Sequence, residues 1–205
     1  MPWGLEGLTV QEIERMVWHK MDQYIRTPIT AETTKSLHAG DYVYLTGTVY
    51  VARDAAHKRL MEVLGQEGAK ALPFPIQDAA IYYMGPSPAR EGRPIGSAGP
   101  TTASRMDKYA PRLLDLGLKA MIGKGKRSQE VIDAIVRNQA VYFAAVGGAG
   151  ALLSKCIQKS TLVCYGDLGA EAVLELEVED FPVVVVIDSQ GNNLYEAAAK
   201  EYAVV

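Results

Sequence analysis

Val141-Tyr142-Phe143-Ala144-Ala145-Val146 is apolar without a break, and Gly147-Gly148-Ala149-Gly150 turns the chain directly behind it. Such a run, closed by glycine, suits a strand in the middle of a sheet covered on both faces. Leu152, Leu153, Cys156 and Ile157 then follow at helical spacing, which makes the segment a strand-to-helix crossover. The same order of events occurs twice upstream. Asp41-Tyr42-Val43-Tyr44-Leu45-Thr46-Gly47 and Thr48-Val49-Tyr50-Val51-Ala52 are rich in aromatic and β-branched residues and lead to Arg53-Asp54-Ala55-Ala56-His57. There Asp54 is the expected cap of a helix with Ala56, Leu60, Val63 and Leu64 on one face and Gly65 as its stop. Lys119-Ala120-Met121-Ile122 is a short strand before the basic turn Gly123-Lys124-Gly125-Lys126-Arg127-Ser128. Ser128 can cap a helix that buries Val131, Ile132, Ile135 and Val136. Three βα turns, near residues 53, 123 and 147, predict a sheet with parallel strands whose ligands gather at the strand carboxyl ends.

Outside that frame, Thr9-Val10-Gln11-Glu12 fits a capping box, and Val10, Ile13, Val17, Met21 and Tyr24 predict an N-terminal amphipathic helix over about residues 10 to 24. Ile81-Tyr82-Tyr83-Met84 is a short strand, and residues 85 to 100, with four prolines and four glycines, are loop. Leu174-Glu175-Leu176-Glu177-Val178-Glu179 alternates as a strand with one wet face should, and Phe181 to Ile187 reads as buried strand. Asp188 to Asn193 is a turn before Leu194-Tyr195, which predicts a closing β-hairpin. The expectation is one α/β domain with a mixed sheet over residues 26–205 and a helical appendage over residues 1–25, without internal repeats.

The long loop delivers the chain to Gly96-Ser97-Ala98-Gly99-Pro100-Thr101-Thr102-Ala103-Ser104-Arg105-Met106-Asp107. Gly96 and Gly99 permit consecutive N–H groups to turn toward one ligand, and Pro100, Thr101 and Thr102 are expected to open a helix whose N-terminus favours an anion. Arg105, one turn after Thr101, can grip a carboxylate with two parallel hydrogen bonds. Arg53 and Lys124, at the ends of other strands, are further cations for the same ligand. Asp54 and His57 are read either as helix cap and partly buried surface histidine or as groups that orient Arg53. Lys126 and Arg127 are read as solvated, and Gly147 and Gly148 as a close-packed turn lining the site.

The composition is that of an ordinary globular protein: 48% of the 205 residues are hydrophobic and 22% charged. With 21 Lys and Arg against 24 acids the net charge is −3, which argues against a general nucleic-acid surface. Met1-Pro2-Trp3-Gly4-Leu5-Glu6 lacks the basic region and apolar run of a secretory signal, and no segment is long enough to span a bilayer, so the expected location is the cytoplasm. Cys156 and Cys164 form neither a disulfide framework nor, with His19, His38 and His57 scattered, a zinc or iron–sulfur ligand set. No metal ligands are assigned to this chain.

Several motifs in order carry a resemblance. Thr46-Gly47-Thr48, Arg53-Asp54-Ala55-Ala56-His57, Gly85-Pro86, the Gly96 to Asp107 stretch, Gly123-Lys124-Gly125, Gly147-Gly148-Ala149, Asp167-Leu168-Gly169-Ala170-Glu171-Ala172 and Glu179-Asp180-Phe181-Pro182 together resemble the β subunit of class I (iron–sulfur) fumarate hydratase. The same domain occurs in L-tartrate dehydratase. The likeness covers about residues 25 to 200. It implies a swivelling β/β/α three-layer domain with a mixed sheet, working with an α subunit, as αβ or α2β2, that holds a [4Fe-4S] cluster on three cysteines. One iron of that cluster would bind the substrate's hydroxyl and a carboxylate as a Lewis acid. The chain alone is then expected to be inactive.

Carried over residue by residue, the family's dicarboxylate-binding arginines match Arg53 and Arg105, its glycine-flanked lysine matches Lys124, and its threonine of proton transfer matches Thr101. A threonine hydroxyl is a poor base unless a neighbour activates it. Thr101 therefore either takes part in proton transfer, or positions substrate or relays a proton to the partner. The implied reaction is reversible hydration of fumarate to (S)-malate, with L-tartrate and mesaconate as alternative substrates. Two other classes compete: a purely structural assembly subunit, and a phosphate binder built on Gly123-Lys124-Gly125. The nearest P-loop alignment begins at Gly117, with five intervening residues instead of four and Gly125 where Ser or Thr should hold magnesium.

Overall fold

A computed structural model describes residues 22–201. Strand β1 (Gln23–Arg26) pairs in parallel with β2 (Tyr42–Val51), and between them lies the short helix α1 (Ala31–Ser36). Helix α2 (Asp54–Gln66) follows β2 and leads to β3 (Ala80–Tyr82), which is parallel to the end of β2. A 3-10 turn (Ala103–Met106) and helix α3 (Ala110–Asp115) come next, then β4 (Ala120–Gly123), α4 (Gln129–Asn138) and β5 (Val141–Ala144), with β3, β4 and β5 parallel neighbours. After α5 (Gly150–Leu153), the chain makes β6 (Ile157–Cys164), β7 (Val173–Ile187) and α6 (Leu194–Glu201).

β7 is antiparallel to β5, to β6 and to nearly the whole of β2. The seven-stranded mixed sheet therefore curls back on itself, β2 being joined to β5 through β3 and β4 on one side and through β7 on the other. The 15 residues of β7 let it reach both partners. The β2–β7 register shifts between Leu45 and Gly47; Gly47 takes φ +122°, a conformation that costs a side chain dearly.

The period-2 alternation of the strands divides the apolar residues between two cores. Ile81, Met121 and Tyr142 face the helices, where Leu60 of α2, Leu113 of α3 and Ile135 of α4 meet them. Their neighbours Tyr82, Ile122 and Phe143 face inward, against Leu176, Phe181 and Val183 of β7. The residues named are all buried. A sheet with both faces covered explains the unbroken apolar run at residue 141.

Several expectations are corrected. Of the helix expected over residues 10 to 24, Gln23 and Tyr24 stand in β1, where pairing with Val43 and Tyr44 holds them extended; the rest lies outside the described residues, as does most of the 1–25 appendage. The helix expected after Gly147 is only α5 and a 3-10 turn, because Ile157 already begins β6. The closing hairpin is a helix: Asn193 Oδ1 accepts the Tyr195 amide at 3.1 Å, and Glu196 stands three residues after that cap. Gly65 does not stop α2, which runs on to Gln66.

Candidate functional site

The carboxyl ends of β2, β3, β4 and β5 place residues 53, 83–86, 124 and 147 at one rim of the sheet. Arg53 is the N-cap residue of α2 and offers no side-chain cap; Asp54, the expected cap, is the first helical residue. The capping oxygen comes from elsewhere. Glu171 Oε2 accepts the Ala55 amide at 2.9 Å, while its Oε1 lies 3.5 Å from Arg53 Nη2. One carboxylate thus satisfies a helix N-terminus and anchors a guanidinium.

Arg53 runs flat against the main chain of Gly85, where a Cβ would collide with Nη1. Asp54 links the two arginines as an ion-pair partner: its Oδ1 lies 2.8 Å from Arg105 Nε, and its Oδ2 lies 3.8 Å from Arg53 Nη2. Arg53 is largely enclosed (17% of its side chain exposed) and Arg105 half open (51%).

Thr101 sits one strand over. Its amide and its hydroxyl both donate to the Tyr83 carbonyl, at 2.8 and 3.0 Å. With the hydroxyl hydrogen so committed, Thr101 Oγ1 has only lone pairs to offer a ligand. The Thr101 carbonyl accepts the Lys124 amide at 3.2 Å, and the Lys124 carbonyl accepts the Ala103 amide at 2.9 Å, so Thr102 and Lys124 form a parallel bridge. The exposed Lys124 side chain passes over Gly147. Arg53, Asp54 and Arg105 are thus joined by ion pairs, and Thr101 and Lys124 by a backbone bond, at one rim of the sheet.

Two features of the loop differ from expectation. Pro100 and Thr102 form isolated bridges, and the helix that Thr102 opens as N-cap residue, without a side-chain capping bond, is only a four-residue 3-10 turn, from which Arg105 projects. Nor do the amides of the glycine loop converge on a ligand: Ser97 N donates to Ser87 Oγ at 2.8 Å and Ala98 N to the Gly150 carbonyl at 3.0 Å. Gly96 and Gly99 avoid the left-handed region. Their small size matters instead, because the carbonyls of Ser87 and Pro88 press on Gly96, and Gly99 lies against Gly150. Charged side chains, not a nest of amides, supply the positive potential of this rim.

His57 is fully buried, not a surface histidine. Its Nδ1 lies 2.9 Å from the Arg53 carbonyl, and its ring stacks on Tyr109 and meets Tyr83 edge-on. Burial, aided by the charge of Arg127, drives its pKa down to about 4, so the ring is neutral at pH 7. Arg127, read from sequence as solvated, is enclosed: Nε binds Asp107 Oδ1 at 2.7 Å, and the guanidinium lies between the rings of Tyr83 and Tyr142. Asp107 Oδ2 also accepts the amide of Ser128, the N-cap residue of α4, at 2.7 Å, while the Ser128 side chain makes no capping bond to the first turn. Sequence reasoning missed Tyr83, Asp107, Arg127 and Glu171 as parts of this neighbourhood. Glu171 and Asp107 had a signal, as members of the Asp167 to Ala172 and Gly96 to Asp107 motifs.

Among the described residues no group of three or more His, Cys, Asp or Glu side chains gathers, and both cysteines are free. The side chains at the rim are anion ligands, ill suited to holding an iron–sulfur cluster. No described helix is long and apolar enough to cross a membrane.

Comparison with known proteins agrees with this picture. The family model described as "Fumarase C-terminus" matches residues 9–198. The anaerobic class I fumarate hydratase of Escherichia coli K12 is 43% identical over 154 residues, covering 74% of this chain and 28% of that protein. Fumarate hydratase 2 of Leishmania major is 40% identical over 158 residues, covering 76% of the chain and 28% of that protein. The chain thus spans little more than a quarter of these enzymes. A putative L(+)-tartrate dehydratase subunit beta of Methanocaldococcus jannaschii is 37% identical over 185 residues, covering 87% of this chain and 94% of that subunit. A match over residues 9–198 of 205, together with a relative 37% identical that is covered over 94% of its length, makes this chain a member of the fumarase C-terminus family.

Proposed function

We propose that this chain is the β subunit of a two-subunit hydro-lyase that adds water reversibly to fumarate, giving (S)-malate, at a site shared with an α subunit. The observation that carries the reading is the shared use of Asp54 by Arg53 and Arg105, which aims two guanidinium groups at one rim beside Lys124 and Thr101. Three cations stand there against two carboxylates, Asp54 and Glu171, so the rim keeps a net positive charge that favours an anionic ligand in a net acidic protein. Arg53, braced by Glu171 and Gly85, is the fixed clamp; Arg105, half open, closes on the second carboxylate. Thr101 orients the substrate through its oxygen lone pairs and stands nearest the carbon that gains or loses a proton. Its hydroxyl hydrogen, held by the Tyr83 carbonyl, is not available for donation.

The closed mixed sheet with helices on one face fits the swivelling β/β/α domain that the resemblance implies, and the missing quarters of the longer fumarate hydratases fit a separate α chain. We place the [4Fe-4S] cluster on that partner, where it would supply the Lewis acid. The residues described here bind and orient substrate. Cytoplasmic location is part of the same proposal. A second reading, L-tartrate dehydratase, is favoured by one finding: the relative matched over nearly its full length is named for that activity. The test is anaerobic reconstitution with the α partner, following fumarate loss and tartrate loss side by side. Malate formation that falls roughly a hundredfold or more in Arg105→Ala supports the proposal. Turnover of tartrate alone assigns the second reading, and full activity of Arg105→Ala refutes the clamp.

A further inference from the structure

Beneath the rim, Tyr83 touches every part of the site that must keep its place. Its carbonyl holds Thr101 twice, its ring lies on the Arg127 guanidinium, and its edge meets His57, whose Nδ1 reaches the Arg53 carbonyl. Arg127 in turn holds Asp107, two residues beyond Arg105, and Asp107 holds the amide of Ser128, four residues beyond Lys124. The loops carrying Thr101, Arg105 and Lys124 are thereby tied at both ends, by the Thr102–Lys124 bridge and by Asp107.

A guanidinium with no exposed side-chain surface, served by one carboxylate, is a poor source of stability. Apolar replacements of buried ion pairs are often neutral or better. Three buried polar atoms in this cluster, Arg127 Nη2, Tyr83 Oη and His57 Nε2, have no hydrogen-bond partner among the described residues. Such atoms are rare in folded proteins. Their chemistry is complementary: a donor, a group that both donates and accepts, and, when Nδ1–H serves the Arg53 carbonyl, an acceptor.

We propose that Asp107, Arg127, Tyr83 and His57 form one buried polar network, ordered from guanidinium to phenol to imidazole, that holds Arg53 and Thr101 at a fixed spacing for a dicarboxylate. Tyr83 and Arg127 are its positioning residues; neither touches substrate. In this order the Tyr83 ring lies between the Arg127 guanidinium and the imidazole edge, and the Arg53 carbonyl fixes the Nδ1–H tautomer of His57. The proposal rests on the dicarboxylate reading for its kinetic consequence but not for its structural one.

The test uses the full chain, alone and with its α partner, in two variants, Tyr83→Phe and the double variant Asp107→Asn/Arg127→Met, which removes both charges of the buried pair. Expected are wild-type assembly, a melting temperature within a few degrees of wild type, and a roughly tenfold fall in kcat/KM for fumarate, most of it in kcat. Nitrogen-15 spectra of the chain alone should show His57 as the Nδ1–H tautomer, with its Nε2 resonance moved by Tyr83→Phe. This second readout needs no turnover, so a failed fumarate assignment leaves it standing. Unchanged kinetics in both variants, losses of activity that track losses of melting temperature, or an Nε2–H tautomer would each overturn the network. Should Tyr83→Phe fail to fold, the double variant Asp107→Asn/Arg127→Met carries the same comparison, with unchanged His57 resonances as its refuting outcome.

Discussion

The buried imidazole of His57 makes a prediction that can be worked through in numbers. The ring has no exposed surface, and its pKa is depressed to about 4 from the ordinary 6.5, chiefly because burial penalises the charge. Unfolding releases it to the ordinary value, so between pH 6.5 and about 4 the unfolded chain binds the proton that the native chain refuses. Stability is therefore fully present above pH 6.5 and is lost as pH falls toward 4. Integrated over that window, this one group costs about 2.5 kcal/mol at pH 4.5 and only about 0.2 kcal/mol at pH 7. Carboxylates add an acid sensitivity of their own, which a double difference removes. Urea unfolding of wild type and His57→Asn at pH 7 and pH 4.5 gives four free energies. The variant loses packing at both pH values, but the wild type should lose about 2 kcal/mol more than the variant on acidification. Equal losses, within about 0.5 kcal/mol, would mean that His57 titrates as it does in water, and the burial argument would be wrong.

Three further outcomes follow from the rim. Gly85→Ala puts a methyl where Arg53 Nη1 lies, so the clamp must swing out; dicarboxylate KM in the reconstituted complex should rise at least tenfold while urea unfolding changes by under about 1.5 kcal/mol. Asp107→Asn leaves the buried Arg127 charge without its counter-ion and should cost about 3–5 kcal/mol in denaturant unfolding, against less for the double variant Asp107→Asn/Arg127→Met, which removes both charges. Thr101→Ser keeps the hydroxyl that binds the Tyr83 carbonyl and should hold kcat within about tenfold, whereas Thr101→Val, with no oxygen, should lose roughly two orders of magnitude.

What could be read from the chain was local. The apolar run at residue 141 and the glycine turns behind three strands are signals of period and punctuation, and they placed the parallel strands and the rim. The β2–β7 pairing that closes the sheet joins residues more than a hundred positions apart, and nothing in either strand names its partner. β6 was hidden because Ile157, Lys159 and Thr161 alternate weakly on a half-wet strand, directly after residues with good helical spacing. The last helix did carry a sign, Asn193 three residues before Glu196, that the turn-like sequence before it obscured. For the site, cations at strand ends were legible, since their chemistry and position coincide. The burial of Arg127 was not, because it depends on Asp107, twenty residues earlier, with no periodic relation between them.

The ion pair between Asp54 and Arg105 has a consequence for affinity. In the free chain the half-open guanidinium is already engaged, so an arriving dicarboxylate does not meet an idle cation. It must trade places with, or share, a tethered rival whose local concentration never changes. Binding at this end is then an exchange of one carboxylate for another, and its free energy is the small difference between two similar contacts. Removing the rival by Asp54→Asn should tighten dicarboxylate binding and slow its departure, so the residue that looks like support for the clamp also sets how long the clamp stays shut.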